Sequence, residues 1–123
     1  SDSAARSFSG PTATGCPHPR AFGSCARFLG EYVLARRLMP LAEGVRRLTD
    51  LPARRFGLAE RGRLRPGAFA DVVLFDSRRI RDAATYADPF RPSEGIRHLL
   101  VNGRAVLADG RSTGARPGRV LRA

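Results

Sequence analysis

The chain contains no lysine and no tryptophan, one methionine, two cysteines and two histidines among its 123 residues. The complete absence of lysine, with arginine in its place, points to codon bias more than to a selected binding face. Cys16 and Cys25, with His18 between them, offer three ligands at a spacing unlike that of a structural zinc site, which wants four. Two unpaired, partly buried thiols in a cytosolic protein are the simpler expectation. No apolar run approaches the ~20 residues that a membrane-spanning helix needs, and no secretory leader is visible. A cytoplasmic protein without a membrane partner is therefore expected.

What is abundant is arginine. All 22 basic residues are Arg against 11 acids, for a formal net charge of +11. Such a balance suits a polyanionic partner, since phosphate binding needs concentrated positive charge. Its distribution argues against one: the arginines run from Arg6 to Arg122 among acids, and pairs such as Arg36-Arg37 and Arg78-Arg79 sit in unrelated contexts. No zinc-finger spacing, RNA-recognition aromatics or basic heptad accompanies them. No nucleic-acid partner is expected, although a basic α+β binding module remains an alternative.

A hydrophobic fraction of 42% supports a packed core, while the length allows one modest domain and is far too short for a complete α/β barrel. Residues 4–24 are rich in Gly, Pro, Ser and Thr and read as a long loop, which in compact domains is usually functional or disordered. Ser24 can cap a helix running toward Arg37, with Phe28, Leu29, Tyr32 and Val33 on one face. Pro40 opens a second helix over 41–49, and a third starts at Pro52 and stops at Gly57. The period then switches to that of strands over 70–76 and 96–107, with Asn102-Gly103 as a type I′ hairpin turn. Loop, helices and strands in that order predict an α+β fold. Two short strand regions cannot close a sandwich, so exposed apolar surface is expected.

Two residues stand out chemically: Asp2 at the chain end, and Arg20 in the loop Pro17-His18-Pro19-Arg20. His98 falls in a strand and reads as structural or solvent-facing. The run Gly62-Arg63-Leu64-Arg65-Pro66-Gly67-Ala68-Phe69-Ala70-Asp71, leading into Val72-Val73-Leu74-Phe75-Asp76, resembles the carboxy-terminal signature of the amidohydrolase superfamily. Leu100-Val101-Asn102-Gly103-Arg104 is similar to the hairpin that follows it there. Pro17 to Gly23, Arg27 to Gly30, Leu51 to Leu58 and the tail Thr113 to Arg119 resemble the N-acyl-D-amino-acid deacylases (D-aminoacylases) within that superfamily.

The resemblance implies a fragment: the end of a TIM-like (β/α)8 barrel, with its active-site loop and helices, over residues 1–60, and part of a small β-sandwich over 61–123. It implies a zinc-dependent hydrolase of N-acyl-D-amino acids, small-molecule substrates that yield a carboxylate and a free D-amino acid. Asp2 matches the carboxylate at the end of the eighth barrel strand, which lies beside the metal, a possible weak ligand, and moves protons. Arg20 matches the arginine that clamps the substrate carboxylate, a task its planar fork suits. The remaining metal ligands are expected upstream of residue 1, so this chain alone should neither bind zinc tightly nor turn over substrate. It would need the missing amino-terminal barrel. An inactive, truncated remnant is the other alternative.

Overall fold

The computed structural model describes residues 3, 4 and 6–121. The chain divides into two compact units that interleave along the sequence. Residues 1–40 and 77–95 form unit 1; residues 41–76 and 96–123 form unit 2.

In unit 1 a loop leads into helix α1, Arg20–Arg27, which passes without a break into a π-helical segment, Phe28–Ala35. The helix begins four residues before the expected cap at Ser24. Pro19 already has helical torsions (φ −51°, ψ −28°), so its ring starts the helix. The Ser24 hydroxyl instead donates to the Arg20 carbonyl at 2.8 Å. The wider turn of the π segment closes with the Arg36 N–H donating to the Glu31 carbonyl at 2.8 Å, five residues back. Arg37, at φ 53°, then ends the helical run.

The second stretch of unit 1 packs directly on this helix through two glycines a double turn apart. A Cβ on Gly30 would stand 2.3 Å from the Ile80 carbonyl oxygen, and one on Gly23 would stand 1.9 Å from the Asp82 carboxylate. Only a missing side chain lets the chain approach so closely. Ala26, Leu29, Val33, Ile80 and Ala84 are buried in this unit. An antiparallel bridge between Arg81 and Glu94 ties the second stretch to itself.

Unit 2 contains helices α2, Leu41–Leu48, and α3, Asp50–Arg55. Gly57, at φ 68°, follows α3 as the C′ residue. Strands β1 (Val72–Phe75), β2 (Ile96–Val101), β3 (Arg104–Ala108) and β4 (Arg111–Ser112) form an antiparallel sheet in sequence order. Val72 pairs with Leu100 and Leu99 with Leu107; register shifts fall at Leu74/Phe75 and at Leu99/Leu100. Asn102 (φ 49°) and Gly103 (φ 77°) occupy the left-handed torsions that a type I′ turn demands, and Asp109-Gly110 repeats them. The expected α+β class and antiparallel sheet are therefore present. Val73 and Leu74 on β1 are more than half exposed, as expected of a sheet with too few strands to cover both faces.

Candidate functional site

The loop-to-helix junction of unit 1 borders a cavity of about 350 Å³ lined by His18, Arg20, Ser24, Arg27, Asp82 and Tyr86, with Pro19, Ala84 and Thr85 filling the gaps. Pro17 and Pro19 are buried and pin the loop, while His18 and Arg20 point to the exposed side. His18 satisfies the first two orphan N–H groups of α1. Its Nδ1 accepts from the Arg20 N–H at 3.0 Å, and its carbonyl accepts from Ala21 at 3.0 Å. The imidazole therefore caps the helix that carries Arg20 as its first residue.

That bond fixes the imidazole tautomer. An Nδ1 that accepts has no proton, so Nε2 holds it and donates to the Tyr86 hydroxyl oxygen at 2.9 Å. The two rings meet edge to face, centroids 5.1 Å apart. The phenol accepts from His18 and keeps its own proton for another partner.

Two arginines line the cavity, and they differ in commitment. Arg27 Nε donates to Asp82 Oδ2 at 3.0 Å. The hydrogen bond to Asp82 raises the Arg27 pKa above its ordinary value; burial opposes it, and the charges of Asp82 and Glu31 add lesser upward contributions. The Asp82 carboxylate is nearly enclosed, 5% exposed, and its other oxygen accepts from the Ala84 N–H at 2.9 Å. Arg20 has only its backbone engaged; its guanidinium has no hydrogen-bond or ion-pair partner among the described residues. The cavity thus offers one free guanidinium, a phenol proton and a neutralised Arg–Asp pair, a set that suits a small carboxylate.

Unit 2 also has an arginine-lined cavity, of about 360 Å³, containing Asp50, Arg54, Arg61, Arg63 and Arg65. Here the guanidinium groups are engaged. Buried Asp50 accepts from Arg54 Nε at 3.0 Å and from both Nε and a terminal nitrogen of Arg63, the latter at 3.1 Å. Arg61 bonds Asp71 and, at 2.6 Å, the Asn102 side-chain oxygen, and it stacks 4.3 Å over Phe69. Asp71 in turn accepts from the Asn102 N–H at 2.8 Å, and the Asn102 amide donates to the Pro117 carbonyl at 2.7 Å. The Ala70-Asp71 and Asn102-Gly103 motifs therefore form a structural clasp around the hairpin.

Of the residues singled out from the sequence, Arg20 lies in the unit 1 cavity, whereas Asp2 falls outside the described residues. His98 is half exposed and faces Asp109 at 3.5 Å. Cys16 and Cys25 are both exposed, contrary to the partial burial expected; the Cys16 thiol donates to the Tyr86 carbonyl at 3.6 Å. Tyr86 and Asp82 were not legible as site residues. A lone tyrosine in a polar segment was the one available signal. Among the described residues, no group of three or more His, Cys, Asp or Glu side chains could hold a metal ion. These donors do not fit a zinc centre by themselves. No described helix is long and apolar enough to cross a membrane.

Comparisons with known proteins agree with one another. The chain is 52% identical over 106 residues to an N-acyl-D-glutamate deacylase of Alcaligenes xylosoxydans xylosoxydans, covering 86% of this chain and 22% of that protein. It is 45% identical over 105 residues to a D-aminoacylase of the same organism, covering 85% and 22%. The chain thus spans about a fifth of the length of the curated relatives it matches. A crystal structure of D-aminoacylase superposes with a TM-score of 0.85 at 44% identity, over 88% of this chain and 23% of that one. An N-acyl-D-glutamate deacylase from Bordetella bronchiseptica superposes with a TM-score of 0.79 at 54% identity over the same shares; it was solved with zinc and a phosphonate mimic of the reaction's tetrahedral intermediate. The model of the amidohydrolase family matches residues 10–107, most of the sequence, and the chain belongs to that family.

Proposed function

We propose that this chain is the carboxy-terminal part of a zinc-dependent deacylase that hydrolyses N-acyl-D-amino acids to a carboxylate and a free D-amino acid. The single observation that carries the reading is the uncommitted Arg20 guanidinium at the cavity of unit 1. A chain whose other cavity binds up its arginines leaves this one free, at the mouth of a loop pinned by two buried prolines. A guanidinium fork holds a carboxylate through two parallel bonds, fixing orientation as well as charge. The relatives' acyl-amino-acid substrates carry such a group.

In this reading residues 1–60 are the end of a metal-dependent hydrolase barrel and residues 61–123 part of a β-sandwich beside it. Zinc is the metal, and most of its ligands belong to sequence outside this chain. Asp2 is the carboxylate that takes a proton from water and returns it to the departing amine, the two proton transfers that amide hydrolysis needs. Two exposed thiols suit the reducing cytoplasm. The 123 residues by themselves are inactive.

The test is an assay of the full-length protein containing this segment, loaded with zinc, on N-acetyl-D-glutamate and N-acetyl-D-leucine. Release of the free D-amino acid is expected. Absence of release from any N-acyl-D-amino acid tried, with the metal bound, overturns the reading. Asp2→Asn should then abolish turnover while leaving the fold intact.

A further inference from the structure

We propose that Tyr86 is a second substrate-binding residue, donating its hydroxyl proton to the ligand carboxylate beside the Arg20 guanidinium, and that His18 is the positioning residue for both. The inference rests on the reading of the cavity as a carboxylate site, and it adds to that reading a specific donor and a specific tie.

The argument begins at the His18 ring. Its Nδ1 is occupied as an acceptor by the first N–H of α1 at 3.0 Å, which leaves Nε2–H to donate to Tyr86 at 2.9 Å. A phenol that accepts from an imidazole is a donor with a free hydrogen, and no described side chain takes it. Tyr86 and Arg20 line the same cavity, and both are exposed at it. A phenol proton and a guanidinium converging on one space are complementary to an oxyanion. They offer little to a neutral amide, which presents one acceptor oxygen.

His18 touches both partners through opposite nitrogens, so one ring sets the start of the Arg20 helix and the position of the Tyr86 oxygen. The Tyr86 backbone is held independently, since its carbonyl accepts from the Cys16 thiol. Loss of the phenol oxygen therefore removes the donor without releasing the segment.

The two roles separate by substitution. Tyr86→Phe should raise KM for N-acetyl-D-glutamate by about tenfold or more, the range for a hydrogen bond to a charged group, with kcat within about twofold. His18→Asn places an amide oxygen where Nδ1 stood and keeps the helix cap, but cannot reach Tyr86. His18→Ala removes both ties. KM should rise in the order wild type, His18→Asn, His18→Ala, with the Arg20 N–H losing protection from hydrogen exchange only in His18→Ala. In wild type, 15N shifts of the neutral His18 ring should show the proton on Nε2.

An unchanged KM in Tyr86→Phe, alongside an active wild type, overturns the inference and leaves the deacylase reading standing. If wild type turns nothing over, the deacylase reading fails, and equilibrium binding of N-acetyl-D-glutamate decides the rest. Weaker binding in Tyr86→Phe than in wild type supports the carboxylate site; equal or absent binding overturns it. A proton found on His18 Nδ1 also overturns it.

Discussion

The two units are held together by different physics. Five of the six buried hydrophobic residues lie in unit 1; unit 2 contributes Ala53 alone. Conversely, nine of the thirteen exposed large hydrophobics, among them Leu64, Phe56 and Leu74, belong to unit 2. Unit 1 packs by close approach of the Ile80 backbone to Gly30 and of the Asp82 side chain to Gly23, and leaves polar side chains free at its cavity. Unit 2 is knitted by guanidinium–carboxylate ties around Asp50 and Asp71 and leaves apolar side chains open. The contrast teaches that an arginine-rich chain does not use its arginines alike. Arg54, Arg61 and Arg63 fasten carboxylates in unit 2, whereas Arg20 stands uncommitted at the unit 1 cavity.

The largest effect is expected where packing is tightest. Gly30→Ala drives a methyl into the Ile80 carbonyl, a backbone atom that cannot swing aside. A loss of about 3 kcal/mol follows, at the upper end for overpacking. Amide hydrogen exchange should locate it in unit 1. If unit 1 tolerates the methyl, its description as a close-packed body is wrong.

Next comes the fastening of unit 2. Asp50→Asn removes the charge that three guanidinium bonds converge on, at a carboxylate only 12% exposed. A loss of about 2 kcal/mol is expected from chemical denaturation, within the range for hydrogen bonds to charged groups. Arg61→Lys keeps the charge but cannot bond Asp71 and Asn102 together while stacking on Phe69. It should cost about 1 kcal/mol and show as faster exchange in the β2–β3 hairpin. An Arg61→Lys variant as stable as wild type would reduce the clasp to a contact without consequence.

Arg20→Ala sharpens the contrast from the other side. Its guanidinium fastens nothing, so stability should stay within about 0.5 kcal/mol, while KM for carboxylate-bearing substrates rises in the full-length protein. A clear stability loss would mean that Arg20 is spent like Arg54, Arg61 and Arg63.

The smallest effect concerns the exposed face of α2. Hydrogen bonds from Arg46 and then Arg47 pull the Glu43 carboxyl down to about 2. A depressed carboxyl contributes stability that is fully present above its ordinary value near 4.5 and is lost as pH falls through 2. Wild type should therefore exceed Glu43→Gln slightly at pH 6, with the two converging below pH 2. Thermal melts across that span measure the difference, and a gap that persists at pH 2 would assign the effect to something other than charge.

Much of unit 2 was legible because its signals are local. Asn102-Gly103 requires left-handed torsions at both positions, and the structure has them. Leu41, Val45 and Leu48 recur at helical spacing, and α2 ends at Leu48. Unit 1 was harder. Its helix starts at Arg20, not at Ser24, because the cap is an imidazole two residues upstream, a pattern that cap preferences do not cover. The π-helical widening after Arg27 has no simple sequence mark. At the cavity, Arg20 was visible through its loop, but Asp82 and Tyr86 come from far along the chain. Their relation to Gly23 and His18 is a contact between distant residues, which neither period nor composition encodes.

The interleaving of the units has a consequence for the order of assembly. Unit 1 lacks its second stretch until residue 95 has been made, although its helix is finished by residue 35. During synthesis the groove over Gly23 and Gly30 must wait, open, while the whole of 41–76 emerges. Unit 2 then waits in turn for β2 to β4. Lengthening the 41–76 excursion should slow closure only mildly, since loop entropy grows with the logarithm of length. Cutting the chain near residue 76 would divide both units between the two fragments, whereas a cut near residue 40 would divide unit 1 alone. Unit 1, whose two stretches flank 41–76, cannot be excised as one continuous stretch without carrying half of unit 2 with it.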